Sequence, residues 1–307
     1  MTTVRNCPSG DTYFITRRCF SGLMMLTPKP WVVRLFGYCL AVSAERHGIE
    51  LHAYTVMSNH WHGVLTDPEG RLSEFLCHLH SLLARALNQG RGRTDGVWSR
   101  QPTNLVRVRD ADSLLEKMTY VVTNPVKAGL TSTSEEWPGL RGAVGVRGAM
   151  CGIQKKPKNF FKGSGPCPAE VNLRLTPPSL WSADPAGYRR RLLALIDTKE
   201  EAVRATMKKE RRAFLGRREA QRQRWDRRPK KALKRSVVVP RVAASDAGLR
   251  VAMLREEAVF QSRYRDALKL WKEGVRPVVF PEGTVKMRNY PGVVIAGTPE
   301  AEALRRG

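Results

Sequence analysis

His60 and His62 are the residues of this 307-residue chain whose type and spacing point most directly to chemistry. They follow the alternating stretch 50–57, and a β-strand directs residues i and i+2 to the same face. Their α-carbons would lie about 6.6 Å apart at strand rise, close enough for both imidazoles to bind one cation. Trp61 would point to the opposite face, where its large ring suits a core. The pair is equally compatible with one core and one surface histidine, so a metal site requires further ligands.

A second His-x-His pair, His78 and His80, lies in a leucine-rich stretch with helical periodicity. Positions i and i+2 on a helix do not face each other, because successive residues rotate by about 100°. These two rings are therefore predicted to diverge, and they are poor candidates for a shared metal.

Tyr120 and Asn124 form the other candidate group, four residues apart on one face of a predicted helix. Pro125 disfavours helical geometry at Asn124, which predicts that the helix ends or kinks there. An amide at such a place can turn its carbonyl oxygen toward a cation. A tyrosine in an amphipathic helix is otherwise typical of a core residue.

The elements that must position these side chains fall in the first 130 residues. The pattern predicts strands at 12–16, 50–57, 60–66 and 103–108, and helices at 30–47, 72–87 and from Asp110 or Asp112 to Asn124. The order is β-α-β-β-α-β followed by a further helix, and this pattern predicts an α+β protein with a ferredoxin-like, split β-α-β antiparallel sheet and the helices of that unit on one face. The strand with His60 and His62 is expected near the middle of that sheet.

Three regions are predicted along the chain: a catalytic domain at 10–135, a Gly/Pro-rich linker at 136–185, and a basic, mainly helical C-terminal region at 186–307. Near the end, 278–288 has the pattern of a short strand and turn, with no function assigned to it.

The charge is strongly positive, with 53 Lys and Arg against 28 Asp and Glu, a net charge of +25. Most of the surplus lies in 151–307, and 204–235 alone hold 15 basic and 3 acidic residues. Such density indicates a polyanionic partner bound through its phosphates, although a solvated helix face is the alternative. Trp225 within this run is predicted either to stack on a base or to anchor the segment in a core. The predicted DNA-binding residues are Arg211, Arg212, Arg217, Arg218, Arg222, Arg224, Arg227, Arg228, Lys230 and Lys231.

The six cysteines contain no CxxC pair and are predicted to be reduced thiols. No apolar run approaches the roughly 18 residues of a membrane span, and the N-terminus lacks the pattern of a signal peptide. These features predict a cytoplasmic protein with no membrane partner.

The residues from Tyr13 to about Gly139 resemble the single-tyrosine HUH transposases of bacterial insertion sequences, especially the REP-associated tyrosine transposases. The resemblance is carried by Val56-Met57-Ser58-Asn59-His60-Trp61-His62, by Tyr120-Val121-Val122-Thr123-Asn124-Pro125-Val126-Lys127-Ala128-Gly129-Leu130, and by Trp137-Pro138. The two motifs occur in the order and at a spacing that fit this family. Ser58 stands where the family usually has proline, a departure that touches no predicted ligand.

The resemblance implies a bacterial DNA transposase that cleaves and rejoins single-stranded DNA at hairpin-bearing ends. It implies that His60, His62 and Asn124 hold a divalent ion and that Tyr120 attacks a phosphodiester to form a 5′-phosphotyrosine. The ion is expected to be Mg²⁺ or Mn²⁺ acting as a Lewis acid; imidazole suits Mn²⁺ better, and Mg²⁺ is more abundant in cells. A neutral phenol is a weak nucleophile until it is deprotonated or desolvated.

Three alternatives stay open at the level of sequence. The first alternative is a domesticated, non-catalytic protein that binds structured DNA or RNA, because the basic second half could bind nucleic acid without any catalytic chemistry. A replication initiator or relaxase of the wider HUH group is a further alternative, although those are expected to need additional domains or partners. The site is completed either within a monomer or by exchange of the tyrosine helix in a homodimer.

Overall fold

The computed structural model describes residues 4–162, 164–229 and 240–306, without the side chains of residues 305 and 306. Its strands are β1 Thr12–Arg18, β2 Glu50–Val56, β3 His60–Thr66, β4 Asn104–Val108, β5 Arg141–Ala143, β6 Gly152–Lys155, β7 Glu170–Leu173, β8 Val242–Ala243, β9 Val278–Phe280 and β10 Val293–Ile295. Its α-helices are α1 Pro30–Arg46, α2 Leu72–Arg91, α3 Ala111–Lys127, α4 Pro185–Lys209, α5 Arg217–Arg222, α6 Ala247–Lys272 and α7 Pro299–Arg306.

A six-stranded sheet in the order β5-β2-β3-β1-β4-β8 forms the centre of the molecule. Neighbouring strands are antiparallel except β4 and β8, which are parallel. The α+β class predicted from the sequence is therefore what the structure shows. Strand β3, which begins at His60, lies between β1 and β2 in the interior of the sheet.

Helices cover both faces of this sheet: α1 and α2, the helices of the predicted β-α-β-β-α-β unit, lie on one face, and the further helix α3 lies on the other with α4. One core joins α1 and α2 to side chains such as Ile15 and Trp61, and a second core joins α3 and α4 to Phe14 and Val64. Alternate residues of β1 and β3 thus enter different cores. The physical reason is that α3 has its own buried apolar stripe, centred on Met118, which must be covered on the opposite face of the sheet.

Strand pairing crosses the boundaries of the regions predicted from composition. The predicted linker 136–185 contains β5, β6 and β7, and β5 pairs with β2 at one edge of the sheet. At the other edge, β8 from the C-terminal region pairs with β4. The division into a catalytic domain, linker and C-terminal region stays a prediction.

The C-terminal region contains α4 to α7, but its helices are interrupted. Helix α4 ends at Lys209, residues 210–216 are not helical, and the short α5 follows. The stretch predicted as a strand and turn begins with β9, which pairs with β10 and packs through Phe280 against Tyr264 of α6.

All six cysteines are free, and Cys7, Cys19 and Cys39 are buried. Among the residues described, no helix combines the length and the apolar character needed to cross a lipid bilayer.

His80 should make the stability of the fold sensitive to acid. The indole N–H of Trp61 donates a hydrogen bond to its Nε2 at 3.2 Å, and burial, followed by nearby Arg17, lowers the pKa of His80 to about 3. An unfolded histidine binds a proton below about pH 6.5. The contribution of neutral His80 to the free energy of unfolding is therefore fully present above pH 6.5 and is lost as the pH falls toward 3. At pH 5 the loss should be on the order of 2 kcal/mol, measured by urea unfolding at pH 8 and pH 5.

The matched variant is His80→Gln, whose amide oxygen can accept the same hydrogen bond without titrating. Its unfolding free energy should change less between pH 8 and pH 5, by the contribution of this one group. An unchanged pH dependence in the variant would assign the acid sensitivity to other groups.

Candidate active site

The pairing of β3 with its neighbours places both histidines of the first motif on the face of the sheet that α3 covers. His60 stands opposite Arg18 and His62 opposite Thr16 in the register of β3 with β1. The two imidazole rings are 4.7 Å apart between centroids. Trp61 is fully buried in the other core. The strand therefore directs His60 and His62 to one face and Trp61 to the other, as inferred from the sequence.

Hydrogen bonds orient each imidazole from one side. The Nδ1 of His62 lies 2.8 Å from the Thr16 hydroxyl, and the Nδ1 of His60 lies 2.6 Å from the side-chain oxygen of Asn59. That oxygen can only accept, so the Nδ1 of His60 carries the proton and its Nε2 carries a lone pair. The Nε2 of His62 is buried and has no hydrogen-bond partner. A buried, unpartnered imidazole nitrogen is a suitable position for a metal ligand.

Both histidines are held in the neutral form. Burial lowers the pKa of His60 to about 4, and nearby Arg18 lowers it further in the same direction. Burial also takes the pKa of His62 well below its usual value, with smaller contributions from His60 and Arg18. Neutral imidazole is the form that binds metal ions, so the environment favours ligation at neutral pH.

Helix α3 brings Tyr120 against this pair within the same chain. The Asp110 side chain caps the helix by accepting from the Ser113 N–H at 2.8 Å, as the sequence predicted for this residue or Asp112. The Tyr120 ring meets the His62 ring edge-on, with centroids 5.3 Å apart, and meets Phe14 in the same way at 5.7 Å. Tyr120 is half-buried, so a substrate can still reach it.

Asn124 lies one helical turn beyond Tyr120 and is only 7% exposed. Its side-chain amide makes no hydrogen bond to any other residue in the described ranges, which leaves its oxygen available to a ligand. Of the end or kink predicted at Asn124, the structure shows no end: helix α3 continues to Lys127, with Pro125 inside its last turn. Val126 is fully buried, and this burial favours the extra turn of helix after Asn124.

The helix ends in a Schellman motif around Gly129, which has a φ of +69°. The N–H of Gly129 donates to the Val126 carbonyl and that of Leu130 donates to the Pro125 carbonyl. The carbonyls of Gly129 and Leu130 in turn accept from Leu215 and Gly216. The end of the tyrosine helix is thus hydrogen-bonded directly to the arginine-rich stretch of the second half of the chain.

His60, His62 and Asn124 are a donor set that fits a divalent ion. The set would supply two neutral imidazole nitrogens and one amide oxygen, which are donor types that a divalent ion accepts. No cluster of three or more His, Cys, Asp or Glu side chains suited to a metal occurs in 4–162, 164–229 or 240–306. A metal here would depend on the mixed set of two imidazoles and an amide.

The other His-x-His pair diverges, as predicted. The ring of His80 packs between Trp61 and Trp98, whereas the ring of His78 lies against His47, with centroids 5.4 Å apart. His78 therefore belongs to a different environment and serves as a natural control for the first pair.

The arginines predicted to bind DNA are exposed. Those in the described ranges are Arg211, Arg212, Arg217, Arg218, Arg222, Arg224, Arg227 and Arg228, whereas Lys230 and Lys231 lie outside the described residues. Three of the eight form short-range ion pairs, with Glu210, Glu219 and Asp226. The remaining five form no ion pair within 4.0 Å in the described part of the chain, so their charge is available to a polyanion.

The basic segment, defined here as residues 211–229, lies against the proposed catalytic part of the molecule. The Ser58 hydroxyl, two residues before His60, donates to the Gln223 side chain at 2.7 Å. The N–H of Met24 donates to the Arg227 carbonyl at 3.0 Å. Trp225 is half-buried beneath the guanidinium groups of Arg91 and Arg93. This packing favours the core anchor over the base stacker for Trp225.

Several residues of the site were not found from the sequence. Thr16 and Phe14 become visible only when the register of β1 and β3 is known. Gln223 meets Ser58 across 165 positions, and no local pattern announces that contact.

No protein-family model matches the chain, and no curated protein matches it. Among solved structures, the chain is similar to a REP-associated tyrosine transposase bound to a REP hairpin. The two are 20% identical, the match covers 43% of this chain and 76% of the other, and the TM-score is 0.37. A likeness of this extent supports no functional argument by itself, so the function must be inferred from the residues of the site.

Proposed function

We propose that the chain is a metal-dependent transposase that cleaves and rejoins single-stranded DNA at hairpin-bearing ends. The observation that carries the proposal is the edge contact between Tyr120 and His62, which puts a nucleophile beside an unpartnered imidazole nitrogen. In this proposal the catalytic part is a ferredoxin-like, split β-α-β unit. The strand order β2-β3-β1-β4 within the larger sheet supports that assignment.

The proposed reaction is a transesterification. The Tyr120 oxygen attacks the phosphorus, a bond forms between them, and the bond from phosphorus to the 3′-oxygen breaks. The phenol loses its proton and the departing 3′-oxygen gains one, which leaves a 5′-phosphotyrosine and a free 3′-hydroxyl. One phosphodiester replaces another, so rejoining needs no external energy source.

The residues of the chain hold the reacting groups in place. His60, His62 and Asn124 would hold a Mg²⁺ or Mn²⁺ ion, which when bound neutralises charge on a non-bridging phosphate oxygen. Thr16 and Asn59 fix the two imidazoles, and Phe14 supports both the His62 and the Tyr120 rings. The exposed arginines of the basic segment would bind the DNA backbone without reading its sequence.

The alternative is a non-catalytic protein that binds structured DNA or RNA, since five of the described arginines are free for phosphates without any chemistry. To separate the two, the protein is incubated with Mn²⁺ and a hairpin-bearing single strand labelled at one end or the other. A transposase yields a protein–DNA adduct that retains only the label on the 3′ side of the cut. Salt-sensitive binding without an adduct in Mg²⁺ or Mn²⁺ would favour the binding protein.

A further inference from the structure

Two lysines on α3 lie on the same stripe as Tyr120 and Asn124. Lys117, Tyr120, Asn124 and Lys127 are spaced by three, four and three residues, which places all four on one helix face. Neither lysine belongs to the charged run of the second half of the chain. The two cations thus bracket the proposed nucleophile along the helix.

Both ammonium groups lie over the aromatic rings of the site. The Lys127 nitrogen is 5.2 Å from the centroid of the Tyr120 ring, and the Lys117 nitrogen is 5.9 Å from that of Phe14. Phe14 and Tyr120 are themselves in contact. A continuous row of side chains therefore runs from Lys117 through the two rings to Lys127. An attraction of this kind positions a cation without neutralising it.

Neither lysine has an acidic partner within 4.0 Å in the described ranges. Lys127 is exposed and Lys117 is half-buried. Glu116 lies at the flank of the same stripe and pairs with neither of them. An unpaired cation held beside a nucleophile is well placed to receive an anionic oxygen of the substrate.

We propose that the substrate strand runs along α3, with Lys117 and Lys127 each binding a backbone phosphate on opposite sides of the phosphodiester attacked by Tyr120. This inference rests on the proposed function for the identity of the attacked bond. The path continues past the end of α3, where the carbonyls of Gly129 and Leu130 join the basic segment. Arg212 lies beside Gly129, so a strand leaving Lys127 next meets the first arginines of that segment.

The first test compares salt dependence of binding to a hairpin-bearing single strand. Each phosphate neutralised on single-stranded DNA contributes about 0.7 to the slope of log affinity against log salt. The double variant Lys117→Met/Lys127→Met should therefore bind with a slope smaller by about 1.4. The control Lys272→Met/Lys286→Met removes the same charge from exposed positions in α6 and after β9, and its slope should equal that of the wild type.

The second test begins with wild-type protein, so that its first result does not depend on the folding of a variant. Single phosphates of the strand are replaced in turn by uncharged methylphosphonates. Replacement at the linkages flanking the cut should weaken wild-type binding, and the lysine double variant should lose that sensitivity. Equal slopes for the double variant and its control, together with equal sensitivity to the flanking linkages, would overturn the proposed path.

These outcomes are separable from the proposed function. If the adduct forms at Tyr120 but the lysine variants behave as the control, the path is wrong and the transposase proposal stands. If no adduct forms but the slope falls by the expected amount, the path stands as a binding track and the catalytic proposal fails.

Discussion

Tyr120→Phe protein should bind the hairpin-bearing strand with wild-type affinity and form no covalent adduct with it. The substitution removes only the phenolic oxygen, and the ring can keep its edge contacts with His62 and Phe14. Because the proposed bond is made by that oxygen, adduct formation should fall below detection rather than decline partially. Denaturing gel electrophoresis of labelled DNA with Mn²⁺ measures the adduct, and peptide mapping of the wild-type adduct identifies the modified residue.

Tyr188→Phe is the matched control for this substitution. Tyr188 lies on α4, which packs beside α3, and its ring stacks on Trp181 with centroids 5.6 Å apart. The control should form adduct at the wild-type rate. An adduct of normal yield with the Tyr120→Phe protein would show that another residue is the nucleophile.

His62→Ala should reduce cleavage at least about 100-fold without abolishing DNA binding. The substitution removes the buried, unpartnered nitrogen and with it several kcal/mol of stabilisation of the transition-state charge. Thr16→Val is a graded variant, because it keeps His62 but removes the hydroxyl that orients the ring. It should raise the Mn²⁺ concentration needed for half-maximal cleavage by about 10- to 100-fold.

His78→Ala tests whether the effect belongs to the site rather than to histidine content. His78 sits beside His47 and away from the His60/His62 pair, so its loss should leave both cleavage and the metal requirement unchanged. Binding of Mn²⁺ can be followed independently by the loss of its electron paramagnetic resonance signal. Wild-type metal binding by the His62→Ala protein would remove this residue from the donor set.

The elements of the fold that could be predicted are those whose apolar residues recur at the period of a helix or a strand. The strand from His60 to Thr66 and the two amphipathic helices after β1 and β3 were placed within a few residues, because burial of one face imposes a period on the sequence. Strands such as β8, with only two residues, are too short to show any period. Their existence depends on the edge of β4 that they pair with, which is a tertiary property.

The candidate site also has a part that the sequence predicts and a part that it does not. His60, His62, Tyr120 and Asn124 were identified from spacing and from resemblance to a family, and the structure brings the first three rings together. Their roles as ligands and nucleophile remain predictions. The supporting contacts of Thr16 and Gln223 join residues far apart in the chain, so they follow from register and packing rather than from any local pattern.

Helix α3 is held at both ends by later parts of the chain. At its start, the Asp110 carboxylate also accepts from the N–H and the hydroxyl of Ser245, and at its end the Gly129 carbonyl accepts from Leu215. Contacts at both ends favour one fixed position of α3 over a movement that would carry Tyr120 between two places. In the proposed reaction the DNA end attached to Tyr120 would therefore stay in place, and the acceptor strand would move to it. Arrival of the second DNA end would then limit the rate of strand exchange, and the protein would hold the first DNA end in a fixed position.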